Sequence, residues 1–444
     1  MRNPGDQERM PLEPPSVGAL RGLSAGRFTR EDHSLSHAEV LALLKSWTRP
    51  TAPVEDIPLA EASGRILAEP IVAPRPIPAH DNSAVDGYAF SCADYDEAQG
   101  ALLTLYGRAA AGHPLPGSLP PRSAVRILTG AVMPEGCDTV AMQEVVESLA
   151  VDGETLLRVP PGLRPGANRR LAGEDVTTGQ TLVEPGARLR PQDIAAIAST
   201  GKGAVRCYVP LKAAIFSTGD EVIRPGAIFR PGLVYDSNAP TLFALAGLAG
   251  VRTLDLGVLP DDAGVVRERL VEAAGRADVL ITSGGVSHGE EDHVAKTLRS
   301  VGSLHIWRLA IKPGKPMSFG QIGDSIFVGL PGNPVACFVC FLLYVLPLML
   351  ALSGGHWIEP RRFPVRAAFS LKRKPGRRHF MRGWLIEGPS GCLSVQKYPE
   401  DGSGIITSLR EAEGLIEVAE DVETIQEGST LSFIPFSEFG VLRG

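Results

Sequence analysis

The chain has 444 residues, of which 44% are apolar and 21% charged, and it carries a formal net charge of −6. Its length predicts about three domains, and its composition excludes both a largely disordered chain and a small disulfide-stabilised scaffold. The acidic balance excludes the uniform basic surface that drives nucleic-acid binding, although a local basic pocket for an anion is compatible with it. We therefore expect no nucleic-acid partner.

The N-terminal residues and the cysteines indicate where the protein resides. Residues 1–32 are rich in Pro, Gly, Ser and Arg without periodicity, which predicts a disordered extension, and they contain no apolar segment of a secretory signal. The six cysteines are scattered without metal-knuckle spacing, which is typical of a reducing compartment. We expect a cytoplasmic protein.

The region up to residue 208 is predicted to contain three units. Residues 33–58 include SHAEVLALLKSW, whose N-cap serine and helical spacing predict a helix, which we expect to pack on the α/β domain that follows. Residues 59–78 and 179–208 combine helical turns with strands and are predicted to form one elongated linker domain. Residues 79–178 consist of short strand-like runs between Gly and Pro turns, which predicts a β-rich module.

The period of the sequence changes again after residue 208. In residues 209–358, strand-like runs such as KAAIFST alternate with helical patterns such as NAPTLFALAGLAG, which predicts a doubly wound parallel sheet. Ligands of such sheets bind at the carboxyl ends of the strands. Residues 361–444 contain short strands broken by Gly turns, which predicts a small β-barrel or sandwich. The predicted fold is therefore a multidomain protein of the α/β plus β class.

The segment Pro334–Leu352 could be a membrane span, because its 19 residues carry no charge. Against a span, it contains Pro347, has no Lys/Arg cluster close to either end and lies within a run of alternating strands and helices. We favour a buried core helix and expect no membrane partner.

Polar loops with glycine follow two strands of the predicted doubly wound sheet. STGDE (residues 217–221) follows the first strand, and SGGVS (residues 283–287) follows the third. The backbone amides of such loops are suited to an anion such as phosphate, but neither loop matches the G-x-G-x-x-G or Walker pattern, so ordinary tight turns are the alternative. The substrate-binding candidates in these loops are Ser217, Thr218, Gly219, Ser283, Gly284 and Gly285.

Two further turns in this domain carry positive charge or backbone donors. IKPGKP (residues 311–316) sets Lys312 and Lys315 on a Pro-stiffened turn, where they could neutralise phosphate; a solvated loop with two surface lysines is the alternative. LPGNP (residues 330–334) precedes the apolar helix and could present the amides of Gly332 and Asn333 to an anion.

Carboxylates also collect in the loops of this domain. They include Glu221, Asp261 and Asp292. Several acids beside anion-binding loops would suit a hard cation such as magnesium, which bridges carboxylate and phosphate oxygens. Helix capping is the alternative for Asp261.

A set of short motifs in a fixed order runs from about residue 34 to the C-terminus. These are DNSAVDGYA (81–89), RILTGA (126–131), MPEGCDTV (133–140), GED (173–175), STGDE (217–221), the pair Asp261 and Asp262, TSGGVS (282–287), AIKPGKP (310–316) and GLPGNP (329–334). In this order they resemble the motifs of the molybdopterin molybdenumtransferases, the family that also forms the C-terminal part of gephyrin. Members of this family insert molybdate into adenylylated molybdopterin.

The resemblance implies a Mg²⁺-dependent transferase that releases AMP and yields the molybdenum cofactor. It also implies an elongated homodimer, with the active site between the doubly wound domain of one subunit and the β-rich module of the other. The residues that it assigns to the site are Asp86, Thr129, Arg170 and Asp175 from the module, Glu221, Asp261, Asp292, Lys312, Pro331 and Pro334 from the α/β domain, and Arg382 and Ser403 from the tail.

The roles that follow from the resemblance divide these residues into two groups. The catalytic group consists of Asp86, Asp175, Glu221 and Asp292, of which Asp86, Glu221 and Asp292 would also bind Mg²⁺, and the other residues would bind substrate. Arg308, also assigned to substrate binding, stands where a lysine is expected, which keeps the charge but changes the donor geometry.

Two other functions stay open from the sequence. The adenylyltransferase that precedes this step shares the doubly wound domain and its TSGG loop, but it needs neither β-rich unit; that enzyme is also a candidate partner. A non-catalytic pterin-binding scaffold is the second alternative, which the acids at Asp86, Asp175 and Glu221 argue against. Tungstate could replace molybdate, because the two oxyanions have nearly the same size and charge.

Overall fold

The structure is a computed structural model that describes residues 34–285, 293–314, 316–388 and 391–442. The predicted extension at residues 1–32, Asp292 and Lys315 lie outside the described residues.

The α/β domain is built on a six-stranded sheet. Its strands are β1 (Lys212–Thr218), β2 (Arg252–Leu259), β3 (Val279–Ser283), β4 (Ser303–Arg308), β5 (Pro316–Ile322) and β6 (Ser325–Leu330), in the order β2-β1-β3-β6-β5-β4. The first four in this order are parallel, whereas β5 is antiparallel to both of its neighbours. The sheet is mixed rather than purely parallel, because the two-residue turn at Gly323 and Asp324 returns β5 directly into β6 without a crossover helix.

Helices cover both faces of this sheet, which confirms the doubly wound fold. The helices are Asn238–Leu248, Ala263–Ala274, His293–Val301 and the apolar helix, which is continuous from Pro334 to Leu352. Consecutive residues of β1 point to opposite faces: Ile215 packs in the core with the first and last helices, and Phe216 packs in the core with the middle two.

The apolar helix Pro334–Leu352 is a core element. Its most apolar window is 94% buried inside the protein, as predicted for a core helix. The helix has a π-helical turn at Phe341–Val345, which ends two residues before Pro347. Pro347 has no N–H to donate to the preceding turn, which accounts for a local departure from α-helical geometry at this point.

The N-terminal region contributes one helix to the α/β core and a separate small unit. The helix His37–Trp47 begins with a capping box formed by Ser36 and Glu39 and buries Val40 in the same core as the apolar helix. The other elements pair across the chain; they are the strands Val54–Pro58 with Ala204–Tyr208 and Ile71–Val72 with Thr181–Val183, and the helix Pro191–Ser199.

The region between residues 79 and 178 is dominated by a second six-stranded sheet. In sheet order its strands are Thr139–Met142, Gly87–Phe90, Ser123–Ile127, Ala101–Ala109, Glu154–Val159 and Glu147–Val151. Beside this sheet, the short strands Asn82–Ser83 and Arg169–Arg170 pair antiparallel.

The C-terminal region forms a closed five-stranded barrel. Its strands are Phe363–Ala367, Arg378–Glu387, Leu393–Lys397, Gly414–Val418 and Thr430–Pro435, and the pairing of Arg378–Glu387 with Gly414–Val418 closes it. Its other elements are the helix Thr407–Glu411 and the paired strands Leu371–Lys372 and Thr424–Ile425. The short strand Ile311–Lys312 of the α/β domain pairs with Arg378–Glu387, so the barrel is attached directly beside the predicted lysine turn.

Candidate functional site

The polar loops that follow β1, β3 and β6 lie side by side. Ser217 is in register with Ser283, and Ser283 is in register with Leu330, so the three strands end together. The first two loops touch: Gly285 has a φ of +63°, and a Cβ there would collide with the hydroxyl of Thr218. The close approach of these loops therefore requires glycine at this position.

The turn after β6 presents an exposed backbone to the same place. Gly332 and Asn333 are exposed, and the apolar helix begins directly after them at Pro334. The N–H of Gly284 donates to the carbonyl of Leu330 at 3.0 Å, which ties this turn to the loop after β3. Exposed backbone at the start of a helix is favourable for an anion, because the amides and the helix dipole both point positive charge outward.

Positive charge lies beside these loops. Lys312 is half-buried and forms an ion pair with Asp401 of the C-terminal region at 3.6 Å. Burial, together with the positive charges of Arg373, Lys312 and Arg377, lowers the pKa of His379 to about 4. Lys312, Arg373 and Arg377 therefore place three positive charges near His379, with Asp401 as a negative charge among them.

Arg382 holds the loop that approaches the start of the apolar helix. Its guanidinium is buried and donates to the carbonyls of Glu400 and Gly402 in this loop at 3.2 and 3.0 Å, and to Ser408 Oγ in the helix Thr407–Glu411 at 2.9 Å. Burial lowers the pKa of Arg382. The neighbouring carbonyl of Ser403 accepts the N–H of Val335 at 3.0 Å, so the loop is fastened to the first turn of the helix.

The other predicted residues of the α/β domain lie around this group of loops. Glu221 is exposed, and its carbonyl accepts the N–H of Val234 at 2.8 Å. Asp261 is exposed, and its N–H donates to Asp220 Oδ1 at 3.4 Å. Arg308 ends β4 two strands away from β6, and no described hydrogen bond or ion pair joins its side chain to the loops.

A second cluster lies in the β-rich region. Asp86 Oδ1 accepts both the backbone N–H and the hydroxyl of Thr129 at 2.7 Å, and these bonds hold the pKa of this carboxyl below its usual value. Arg170 is exposed and pairs in register with Asn82, four residues before Asp86. Asp175 is exposed on the turn that follows Arg170.

Within one chain, these two clusters remain separate. Across the described ranges 34–285, 293–314, 316–388 and 391–442, no hydrogen bond or ion pair joins the strand-end loops to Asp86, Thr129, Arg170 or Asp175. The same residues contain no group of three His, Cys, Asp or Glu side chains that could hold a metal ion.

Sequence reasoning missed three polar residues of the strand-end cluster. Asp401 pairs with Lys312, and Asp236 and Asn238 bond to Ser217 and Ser283. The triplet Asp236-Ser237-Asn238 at the start of the helix Asn238–Leu248 is a signal for a helix cap. It does not indicate that these side chains bond to residues at the ends of distant strands.

Three family models match successive parts of the chain. The "MoeA N-terminal region (domain I and II)" matches residues 35–201, the "Probable molybdopterin binding domain" matches residues 214–351, and the "MoeA C-terminal region (domain IV)" matches residues 364–436.

Named relatives and solved structures match the same span. The molybdopterin molybdenumtransferase of Haemophilus influenzae is 39% identical over 86% of this chain and 94% of its own length, and that of Bacillus subtilis is 30% identical over 86% and 90%. The molybdopterin biosynthesis MoeA protein from Pyrococcus horikoshii, a crystal structure, superimposes with a TM-score of 0.76 at 30% identity, over 91% of this chain and 99% of its own. The chain therefore belongs to the MoeA family, whose named members are molybdopterin molybdenumtransferases.

Proposed function

We propose that this protein inserts molybdate into adenylylated molybdopterin and releases AMP. The observation that carries the proposal is the meeting of three polar strand-end loops in a chain of the MoeA family. Lys312 is connected to them through Asp401, because the loop of Asp401 and Ser403 bonds to the first turn of the apolar helix. Such an edge of a doubly wound sheet is suited to a large anionic ligand, because it offers backbone amides, hydroxyls and positive charge together.

The substrate's phosphates would lie on the exposed backbone of these loops. The exposed residues of these loops are Gly285, Gly332 and Asn333, whereas Ser217, Thr218 and Ser283 are buried at the strand ends. Lys312 would exchange its bond with Asp401 for a phosphate oxygen. Molybdate is the second substrate, and the positive charges of Lys312, Arg373 and Arg377 near His379 would attract this oxyanion too.

The chemistry of the proposed reaction is the cleavage of a phosphoanhydride. Water adds to one phosphorus, the bond from that phosphorus to the bridging oxygen breaks, AMP leaves with that oxygen, and the proton of the water is released. The two dithiolene sulfurs then bind molybdenum, while one oxo group of molybdate takes up two protons and leaves as water. Asp86 is suited to orient that water, because its lowered pKa keeps the carboxylate ionised and Thr129 fixes one of its oxygens. Asp175 and Glu221 would supply further negative charge for a cation or water.

Magnesium is part of this proposal. Glu221 and Asp86 offer the carboxylate oxygens that Mg²⁺ prefers, and phosphate oxygens and water would complete its shell, since no three ligand side chains gather within the described residues. When bound, the ion would offset negative charge on the phosphates.

A homodimer is the assembly that would complete the site. Asp86, Thr129 and Arg170 share no described bond with the strand-end loops of their own chain, so a second copy would have to bring the two clusters together. We further propose that the protein acts in the cytoplasm and receives its substrate from the adenylyltransferase of the same pathway.

The test supplies purified protein with adenylylated molybdopterin, Mg²⁺ and molybdate, and measures AMP. We expect AMP release that slows strongly when molybdate is omitted. Lys312→Ala should weaken both binding and turnover, whereas Lys372→Ala, which removes an exposed lysine of the barrel, should not.

Each alternative function predicts a different result in this assay. Consumption of ATP with free molybdopterin would identify an adenylyltransferase, and binding of pterin without turnover of either substrate would identify a scaffold. A parallel reaction with tungstate compares the two oxyanions.

A further inference from the structure

Asp236 is a buried carboxylate between the strand-end loops. It is 5% exposed, and its Oδ2 accepts the hydroxyl of Ser217 at 2.6 Å and the guanidinium of Arg224 at 3.2 Å. Its Oδ1 accepts the N–H groups of Asn238 and Ala239 at 3.1 and 3.0 Å. Asp236 therefore fixes the first turn of the helix Asn238–Leu248 against the end of β1.

The side chain of Asn238 continues this connection to the other two loops. Its Nδ2 donates to Ser283 Oγ at 2.6 Å and to the carbonyl of Gly332 at 2.7 Å. An amide nitrogen has two N–H groups, so both are used and each goes to a different loop. The loop after β3 and the turn after β6 are thus held at a distance that one planar amide group determines.

We propose that Asn238 is a positioning residue that sets the affinity for the phosphate end of the substrate. The inference rests on the proposed function and extends it, because Asn238 need not touch the reacting atoms. Gly332 is an exposed residue without a side chain, and the backbone of such a turn adopts several conformations unless its polar groups are bonded. The hydrogen bonds of the Asn238 amide stabilise the backbone conformation in which the turn at Gly332 and the loop at Ser283 face the same ligand.

Loss of the amide should therefore affect binding more than chemistry. Asn238→Ala leaves the carbonyl of Gly332 and the hydroxyl of Ser283 without this donor, and we expect the Kd for adenylylated molybdopterin to rise roughly 10–100-fold. The rate of single-turnover AMP release at saturating substrate should stay within about threefold of the wild-type rate, because the reacting groups are unchanged.

The isosteric variant Asn238→Asp tests the positioning role through the pH dependence of substrate affinity, which a purely structural role would leave unchanged. The new carboxylate repels the carbonyl of Gly332 and the phosphates, whereas its protonated form can donate one hydrogen bond. Relative to wild type at the same pH, its affinity should recover as the pH falls, while the affinity of Asn238→Ala relative to wild type should not change with pH.

Thr241→Val is the matched control. The Thr241 hydroxyl donates to the carbonyl of Ser237 at 2.8 Å, in the first turn of the same helix but away from the loops. The variant Thr241→Val should lose some thermal stability and keep the wild-type Kd for adenylylated molybdopterin. Equal Kd values for Asn238→Ala and wild type, or equal loss in Thr241→Val and Asn238→Ala, would overturn the inference. A wild-type protein that neither binds nor turns over the substrate would instead refute the proposed function.

Discussion

At the scale of single residues, Asp86 has the surroundings of a carboxylate that stays charged. Both donors on its Oδ1 come from Thr129, one from the backbone and one from the hydroxyl, and hydrogen bonds to the ionised form lower a pKa. The carboxylate is accordingly ionised across the neutral range, where it can orient water or bind a cation.

Replacement of Asp86 should therefore separate catalysis from binding. In Asp86→Asn the charge is lost while shape and most polarity remain, and we expect the single-turnover rate to fall about 10²–10³-fold with little change in Kd. The measurement is AMP release after rapid mixing, with binding followed by titration.

The control for this variant is another turn carboxylate of the same region. Asp96 Oδ1 accepts the N–H groups of Ala98 and Gln99 at 2.8 and 3.0 Å, so Asp96→Asn removes a similar charge outside the cluster. A wild-type rate in Asp86→Asn, or an equal loss in both variants, would contradict the catalytic role.

The site residues that could be predicted from the sequence are those in recognisable loops. Ser217 and Ser283 follow strand patterns directly, and the carboxyl ends of parallel strands share one edge of a sheet. Asn238 could not be assigned in this way, because its partners Ser283 and Gly332 lie 45 and 94 residues further along the chain. The resemblance assigns Arg382 to substrate binding, and the sequence does not indicate that its buried guanidinium also anchors a loop through the carbonyl of Gly402.

At the scale of elements, the loop at Gly285 depends on close backbone approach. Gly285 and Gly323 both have positive φ, +63° and +57°, but only at Gly285 would a Cβ collide with a neighbour, Thr218. Nothing lies within 4 Å of a Cβ at Gly323.

Alanine at these two positions should therefore have different effects. Both variants strain the backbone by about 1 kcal/mol or more, whereas Gly285→Ala also pushes two site loops apart. We expect Gly285→Ala to weaken substrate binding more than roughly tenfold, and Gly323→Ala to lower thermal stability with an unchanged Kd. Comparable Kd values for the two variants would show that the contact between the loops is unimportant.

The N-terminal helix is attached through a buried histidine. His37 Nδ1 lies 2.8 Å from the hydroxyl of Tyr344 in the apolar helix, and its ring packs edge-on against Phe380 of the barrel. Burial is the main reason that the pKa of His37 falls to about 4. One imidazole thus connects the helix, the α/β core and the barrel in its uncharged form.

Acid should weaken this attachment. The pKa of His37 is near 6.5 in the unfolded chain and about 4 in the folded chain. The neutral imidazole therefore contributes its full stabilisation above pH 6.5, and this contribution is lost as the pH falls from 6.5 to 4. The full loss is on the order of 3 kcal/mol. Urea unfolding from pH 7 to pH 4.5 should show a steeper decline for wild type than for His37→Gln. The exposed-site variant His113→Gln should keep the wild-type slope, and parallel curves for wild type and His37→Gln would refute this role.

The fold was predictable from the sequence where the pattern of apolar residues allows only one arrangement of neighbouring strands and helices. Alternating strand and helix patterns predicted the helices on both faces, because parallel neighbours need a crossover. The antiparallel β5 was not predicted, since its reversal depends on the turn at Gly323 and Asp324 rather than on its apolar residues.

At the scale of the whole molecule, we predict a dimer that shares its sites between subunits. Sedimentation should report about twice 47.1 kDa. A mixture of Asp86→Asn and Lys312→Ala subunits, reassociated at equal amounts, should recover about one quarter of wild-type activity, because half of the dimers are mixed and each of these has one intact site. Sites formed within single chains would give no recovery, and a fully active monomer would refute the dimer.

The hydrogen bond between the Val335 N–H and the Ser403 carbonyl can form only late in translation, because Ser403 is synthesised after the whole α/β domain. A nascent polypeptide that has left the ribosome as far as residue 358 already contains every strand of the central sheet and all three polar loops. It still lacks Asp401, which pairs with Lys312, and Ser403, whose carbonyl joins its loop to the apolar helix. The surface proposed to bind substrate is therefore complete only after the last tenth of the chain has been synthesised, and a prematurely terminated product lacks part of it.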